Sequence, residues 1–228
     1  MPILHDCSVP SALLEGMRLA RRAIASERLV VLPTDTVYGV AADAFSARAV
    51  AALLAAKGRG RQSPPPVLIH GPSQLDALSA FVPPPLRTLV DEFWPGGLTV
   101  ITRARESLHW DLGDTGGTVA LRMPDNPIAL ELIQETGPLA VSSANLTGLP
   151  AAMTAAEAAS MLGDSVAVYL EAGEAGQKYG LPPAKAASTI LDTSQFETLG
   201  TFQIVREGVV SREALLEHLD AGILAAPA

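Results

Sequence analysis

The sequence predicts an α/β fold: a single domain with a twisted, mostly mixed β-sheet, flanking helices and a concave ligand cleft. Three observations predict it. Short apolar runs rich in β-branched residues alternate with stretches of helical period along the 228 residues, as they do where strands and helices interleave. No internal repeat or linker divides the chain, so one core over about 10–220 and a tail at 221–228 are expected. Strand-like runs also end repeatedly in hydroxyl, imidazole or guanidinium side chains, at the rim where open α/β sheets bind ligands.

Ser11 is placed to cap a helix reaching about Ser26, with Leu13, Leu14, Met17, Ala20 and Ile24 on one face. Leu29 to Leu32 is the first strand. It runs into Pro33, which has no N–H for a ladder, so Thr34-Asp35-Thr36-Val37-Tyr38-Gly39 should project from the rim. Ser46 opens an Ala-rich helix carrying Val50, Leu53 and Leu54 and ending near Lys57-Gly58. Arg59 to Pro66 is too rich in Gly and Pro for regular structure and leads to a strand at Val67 to His70. Helices follow at Ser73 to Ala80 and Pro84 to Phe93. Trp94-Pro95-Gly96-Gly97 then turns the chain into a strand at Leu98 to Thr102.

Residues 103–117 read as an irregular, mobile connection. Thr118 to Arg122 is a strand, Pro127 sits in the first turn of a helix through about Glu135, and Leu139 to Ser142 is a strand again. Thr154 with Glu157 makes a capping box for a short helix. After a strand at Val166 to Leu170, the Gly- and Pro-punctuated stretch Gly173 to Ala187 reads as a loop that orders around a ligand. Strands at Ser188 to Leu191 and Phe202 to Val205 and a helix from Ser211 to about Leu219 complete the core, ahead of a fraying tail.

Composition narrows the function classes. An apolar content of 48% suits a folded globule rather than a disordered chain. No apolar run approaches a membrane span, and Met1 to Cys7 lacks a basic-then-apolar signal pattern, so a cytoplasmic protein is expected. One cysteine excludes an internal disulfide or a multi-cysteine metal site, and the four histidines show no metal-ligand spacing. A net charge of −8 argues against a broad nucleic-acid binder. Lys57, Arg59 and Arg61 nonetheless crowd one loop, and a small anion needs only a local positive pocket.

Thr34 and Thr36, His70, Arg122, Ser142, Ser143 and Asn145, Ser188 and Thr189, and Arg206 all fall at strand ends. There is no Walker A motif and no G-x-G-x-x-G, so phosphates would rest on Lys57, Arg59, Arg206 and backbone amides. Plainer readings stand beside these: a Thr-Asp-Thr turn, a solvated helix end at Lys57, a core His70, and a helix-start turn at Ser143-Ala144-Asn145. Arg122 is the more informative residue, because a guanidinium inside an apolar strand must face a carboxylate of the protein or of a ligand. No Ser-His-Asp order, cysteine nucleophile or acid/base carboxylate pair stands out. Catalysis would therefore rest on positioning and charge stabilisation.

Seven segments, in order, resemble the YrdC-type threonylcarbamoyl-AMP synthase family. They are Pro33-Thr34-Asp35-Thr36-Val37-Tyr38-Gly39, Lys57-Gly58-Arg59, Trp94-Pro95-Gly96-Gly97-Leu98-Thr99, Val119-Ala120-Leu121-Arg122-Met123-Pro124, Ser143-Ala144-Asn145-Leu146-Thr147-Gly148, Ser188-Thr189-Ile190-Leu191-Asp192 and Val205-Arg206-Glu207-Gly208. The resemblance covers about 15–215 and implies a YrdC-like fold in its short, single-domain form. It departs at Gly60 to Pro66, longer and richer in proline than the Asn-Pro-Leu-like segment usual there.

The resemblance implies condensation of L-threonine, bicarbonate and ATP into threonylcarbamoyl-AMP and pyrophosphate, for tRNA threonylcarbamoyladenosine modification by downstream transfer proteins. It implies that Thr36, His70, Arg122, Ser143 and Ser188 surround threonine. Arg59, Thr118, Asn145, Thr154 and Arg206 would contact ATP, with Lys57 beside the phosphates and Lys57 and Arg59 as the catalytic pair. Mg²⁺ would ride on the triphosphate without a protein site of its own. Two other classes fit the sequence less well. An RNA-binding or ribosome-maturation module of the same fold conflicts with the acidic charge, and a carbamoyl-phosphate-adenylating module would bring Cys- and His-rich zinc segments.

Overall fold

Leu29 to Leu32 shows how the sheet is built. All four residues are buried, Leu29 and Val31 in one apolar layer and Val30 and Leu32 in another. Side chains alternate across a strand, so one buried on both faces is written as an unbroken apolar run. The computed structural model describes residues 3–182 and 185–226. Among these, ten strands form one sheet: β1 (Leu4–Asp6), β2 (Leu29–Leu32), β3 (Gly39–Asp43), β4 (Val67–Leu68), β5 (Leu98–Arg103), β6 (Thr118–Arg122), β7 (Leu139–Ser143), β8 (Val166–Glu171), β9 (Thr189–Asp192) and β10 (Gln203–Arg206). Across the sheet the order is β1-β8-β2-β3-β7-β4-β6-β5-β9-β10. The mixture expected from the sequence is present: β1–β8, β2–β8, β4–β6 and β5–β9 pair in parallel, the remaining neighbours antiparallel.

The helices are α1 (Pro10–Ala25), α2 (Ala47–Ala56), α3 (Pro72–Leu78), α4 (Pro84–Phe93), α5 (Pro127–Thr136), α6 (Ala155–Leu162), α7 (Phe196–Leu199) and α8 (Arg212–Leu216). One face of the sheet is sealed by α2, α3, α4 and α6, whose Leu53, Leu75, Leu89 and Ala158 share a layer with Val31, Val40, Val100, Leu121 and Leu191. On the other face, Met17 and Ile24 of α1 and Leu132 and Ile133 of α5 pack over Val30, Leu32, Ala41, Val141 and Val168. That second layer contains no residue of β5, β6, β9 or β10. Among the described residues this half of the face carries no helix, and it holds the site. Among the described residues no helix is long and apolar enough to cross a membrane.

Several local expectations need correction. Ser11 lies inside α1, because Pro10 with its fixed φ opens the helix, and the N-cap is Val9, whose side chain has no acceptor to offer. β1 and β3 were not expected. Gly39-Val-Ala-Ala-Asp has little strand propensity and is a strand because it pairs with β2 on one side and β7 on the other. The strand expected at Val67 to His70 is only Val67–Leu68. The 103–117 connection is tied down: Leu112 is buried, Arg105 donates to the carbonyls of Asp76 and Ala77, and Arg61 pairs with Asp111 at 2.8 Å. The C-terminal stretch is pinned as well, since Phe202 N–H donates to Ile223 O, Ala225 N–H donates to Phe202 O, and Leu224 is buried.

Candidate active site

The uncovered half of the face forms a cleft of about 430 Å³. Into it converge Thr34 and Thr36 from the β2–β3 connection, Thr99 from β5, Arg122 from β6, Ser143 and Asn145 from the end of β7, Ser188 and Ile190 from β9 and its approach, Arg206 from β10, and Arg59 from the turn after α2. A larger cavity of about 580 Å³ around Phe81, Arg103 and Trp110 lies elsewhere and gathers none of the sequence-predicted site residues.

Arg122 sits at the last position of β6, where alternation aims it away from the Leu121 layer and into the cleft. Its Nε donates to Gly96 O at 2.9 Å, Nη1 to Thr36 Oγ1 at 2.8 Å and Nη2 to Asp35 Oδ1 at 2.6 Å. The carboxylate demanded by a buried guanidinium is therefore a protein one, Asp35, whose side chain is 2% exposed. A guanidinium carries five N–H groups, so the protein's three bonds leave donors on Nη1 and Nη2. Thr34 completes the turn, its hydroxyl donating to Val37 O at 2.6 Å and accepting from Thr36 N–H at 3.2 Å.

Lys57 and Arg59 are separated by Gly58, whose φ of 66° ends α2 in the left-handed region that glycine enters freely. This reversal sends the two cations apart. Arg59 goes to the cleft, donating to Thr147 Oγ1 at 3.1 Å. Lys57 goes inward and is fully buried. Its ammonium donates to Ser143 O at 2.5 Å, Asn145 O at 2.6 Å and Asn145 Oδ1 at 2.9 Å. Burial first, then the neighbouring Arg59 charge, lowers its pKa from 10.5 to about 8. Lys57 is thus a staple under the Ser143–Asn145 turn rather than a wall of the cleft. Thr147 closes the other side of the stitch, its hydroxyl donating to Lys57 O at 2.7 Å.

Arg206 reaches the cleft through a β-bulge. Gln203 pairs with Asp192 and Ile204 with Leu191, but Arg206 pairs with Ile190, leaving Val205 as the extra residue. Since Ile190 lines the cleft, Arg206 lands on the same side. Its Nη2 donates to Ser188 O at 2.7 Å and Ser188 Oγ at 3.1 Å, and Ser188 meets Thr99 at 2.8 Å. Gly208 permits this approach, because a Cβ there would stand 2.2 Å from Ala187 O.

The structure therefore brings together Thr36, Arg59, Arg122, Ser143, Asn145, Ser188 and Arg206. His70, Thr118 and Thr154 do not line the cleft. His70 is turned onto α3, its Nδ1 2.9 Å from Gln74 Oε1, which also accepts the His70 backbone N–H. Thr118 begins β6 and donates to Thr115 O, four residues and about 13 Å of strand from Arg122. The Thr154 hydroxyl caps α6 by accepting from Glu157 N–H. Thr34, read from the sequence as a strand-end polar residue, does line the cleft; sequence reasoning missed Thr99 as a lining residue and Asp35 as the partner of Arg122. The signal for Thr99 was a polar residue between two apolar ones in a strand; for Asp35 it was the requirement that Arg122 face an acid.

Three guanidinium groups and no carboxylate line the cleft among the described residues. Such a pocket favours anions, and its hydroxyls supply orientation. The family model described as telomere recombination, covering Sua5, YciO and YrdC, matches residues 22–208. The chain belongs to the Sua5/YciO/YrdC family. A Mycobacterium tuberculosis member provisionally named threonylcarbamoyl-AMP synthase is 48% identical over 214 residues, 94% of each chain. The Bacillus subtilis threonylcarbamoyl-AMP synthase is 39% identical over 159 residues, 69% of this chain and 46% of that one. Among solved Sua5/YciO/YrdC structures, Pyrococcus abyssi Sua5 complexed with L-threonine superposes with a TM-score of 0.83 at 28% identity, over 99% of this chain and 62% of that chain. The chain therefore spans nearly all of the mycobacterial relative and less than two thirds of the Pyrococcus structure.

Proposed function

We propose that this protein is an L-threonylcarbamoyladenylate synthase, a nucleotidyltransferase that joins L-threonine, bicarbonate and ATP and releases pyrophosphate. The observation that carries the reading is the meeting of Arg122 with Arg59 and Arg206 in one hydroxyl-rich cleft. The donors that Arg122 keeps on Nη1 and Nη2 match the two oxygens of an amino-acid carboxylate, in the planar geometry that suits arginine. Ser143 and Ser188 line the same cleft, and Arg59 and Arg206 supply charge for the phosphates.

The threonine nitrogen adds to bicarbonate, water leaves, and the resulting carbamate oxygen attacks the α-phosphorus of ATP as pyrophosphate departs. Negative charge grows on the phosphate oxygens in that step, so fixed guanidinium groups lower its barrier without reorganising. The protein's part is to hold the two reactants in line. Lys57 contributes from beneath, by shaping the turn that carries Ser143 and Asn145. The cleft lining offers hydroxyls and guanidiniums, so Mg²⁺ enters the proposal on the triphosphate and not as a protein-held ion. The product would pass in the cytoplasm to proteins that transfer threonylcarbamoyl to tRNA. The test is pyrophosphate release by purified protein with ATP, Mg²⁺ and bicarbonate. Release that depends on threonine is expected; release of equal rate without threonine overturns the reading.

A further inference from the structure

Tyr179 lies outside the cleft, on the short turn Gln177–Tyr179, and nothing in the chemistry above uses it. Its phenol nonetheless donates to Asp35 Oδ2 at 2.6 Å. Asp35 Oδ1 is taken by Arg122 Nη2 at 2.6 Å and by Asp125 N–H at 2.9 Å. Tyr179 is thus the partner of the second oxygen of a buried carboxylate whose first oxygen orients Arg122. The phenol also lies against the turn before β5, where a Cβ on Gly97 would stand 3.0 Å from Tyr179 Oη. Gly96 of that turn accepts from Arg122 Nε. Lys178, the preceding residue, pairs with Asp125. The Gly96 and Asp35 grips on Arg122 therefore lie under one turn. Burial and the adjacent Asp35 charge raise the Tyr179 pKa, so the phenol remains a donor.

We propose that Tyr179 is a positioning residue for amino-acid binding: it fixes the rotation of Asp35 and, through Asp35, aims the free N–H groups of Arg122 at the substrate carboxylate. This rests on the functional reading given above. Asp35 admits two opposite expectations. If it only neutralised Arg122, removing its charge would tighten carboxylate binding. If it aims Arg122, loosening it weakens that binding although the local charge becomes more positive.

The experiment measures steady-state pyrophosphate release and thermal unfolding for the wild type, Tyr179→Phe and Asp35→Asn, with calorimetric titration of L-threonine. Tyr179→Phe keeps the ring and removes one hydroxyl, so an intact fold is expected. The expected result is a rise of about three- to tenfold in KM and Kd for threonine, with KM for ATP and kcat unchanged and Tm lowered by only a few degrees, as fits one lost hydrogen bond. Asp35→Asn should raise the threonine Kd further. Unchanged threonine constants in Tyr179→Phe, an equal rise for ATP, or tighter threonine binding by Asp35→Asn would each overturn the proposal. Wild-type protein without threonine-dependent release would instead overturn the functional reading itself, so the two failures are distinguishable.

Discussion

The face of the sheet that carries α1 and α5 holds two kinds of surface. Over β2, β3, β7 and β8 its side chains are Val30, Leu32, Ala41, Val141 and Val168, and helices cover them. Over β5, β6, β9 and β10 the corresponding side chains are Thr99, Arg122, Ile190 and Arg206, and no helix arrives. The strands are continuous in one sheet and their opposite sides share one apolar layer. The backbone is common to both halves; the cover differs. Where a helix seals the face the strand is apolar on both sides, and where none does, strand positions are free to carry chemistry.

The sharpest way to break this comparison is at Arg122. Arg122→Ala is expected to lower threonine-dependent turnover about a hundredfold or more, while nucleotide affinity in equilibrium binding stays within a few-fold. It also strands Asp35, so a loss of about 3 kcal/mol in denaturant unfolding should accompany it. Equal loss of threonine and nucleotide binding would show that the polar half is not divided between the two ligands. The converse substitution is in the covered half. Leu132→Ala removes a fully buried side chain of α5 and should cost about 3 kcal/mol of stability, with kcat/KM per folded molecule unchanged.

Lys57 lies beneath the turn that carries Ser143 and Asn145, and pH sharpens its role. Its folded pKa of about 8 lies below the ordinary 10.5, so between those values the unfolded chain binds the extra proton. Stability should therefore rise with pH across that window. Activity should fall over the same range, because a neutral amine has fewer donors for Ser143 and Asn145. Opposed slopes in urea titration and in the pH–rate profile are expected for the wild type, and Lys57→Met should flatten both. A smaller effect is expected at Thr154. Thr154→Ala removes a helix cap worth about 1 kcal/mol, and KM for ATP should not change; a raised KM would restore the nucleotide contact implied by family resemblance.

How far the fold was legible follows the same division. The apolar-rich strands at Leu29–Leu32 and Leu98–Thr102 announce themselves, and so do α2 with Ser46 as its cap and α5 opened by Pro127. β3 does not, because Gly39 and two alanines owe their conformation to pairing with β2 on one side and with the distant β7 on the other. At the site, residues at strand ends were readable as a set, and Thr36, Arg122, Ser188 and Arg206 do meet. His70 was misplaced because the strand before it stops at Leu68, which leaves the imidazole to α3. Lys57 was read beside Arg59 because the two are neighbours in sequence; the left-handed turn at Gly58 sends them to different surroundings. Asp35 stood in the motif, yet only coordinates reveal that it, rather than a ligand alone, answers Arg122.

Val205 is 57% exposed and touches little, so its identity is nearly free to drift. Its unpaired conformation is not. In a regular ladder that paired Val205 with Ile190, position 206 would fall opposite Thr189, turning the arginine to the reverse side of the sheet. Deleting the bulged residue instead leaves the arginine opposite Ile190, so among descendants of this gene β10 should accept almost any substitution at Val205, and even its one-codon loss, as long as the arginine keeps that partner.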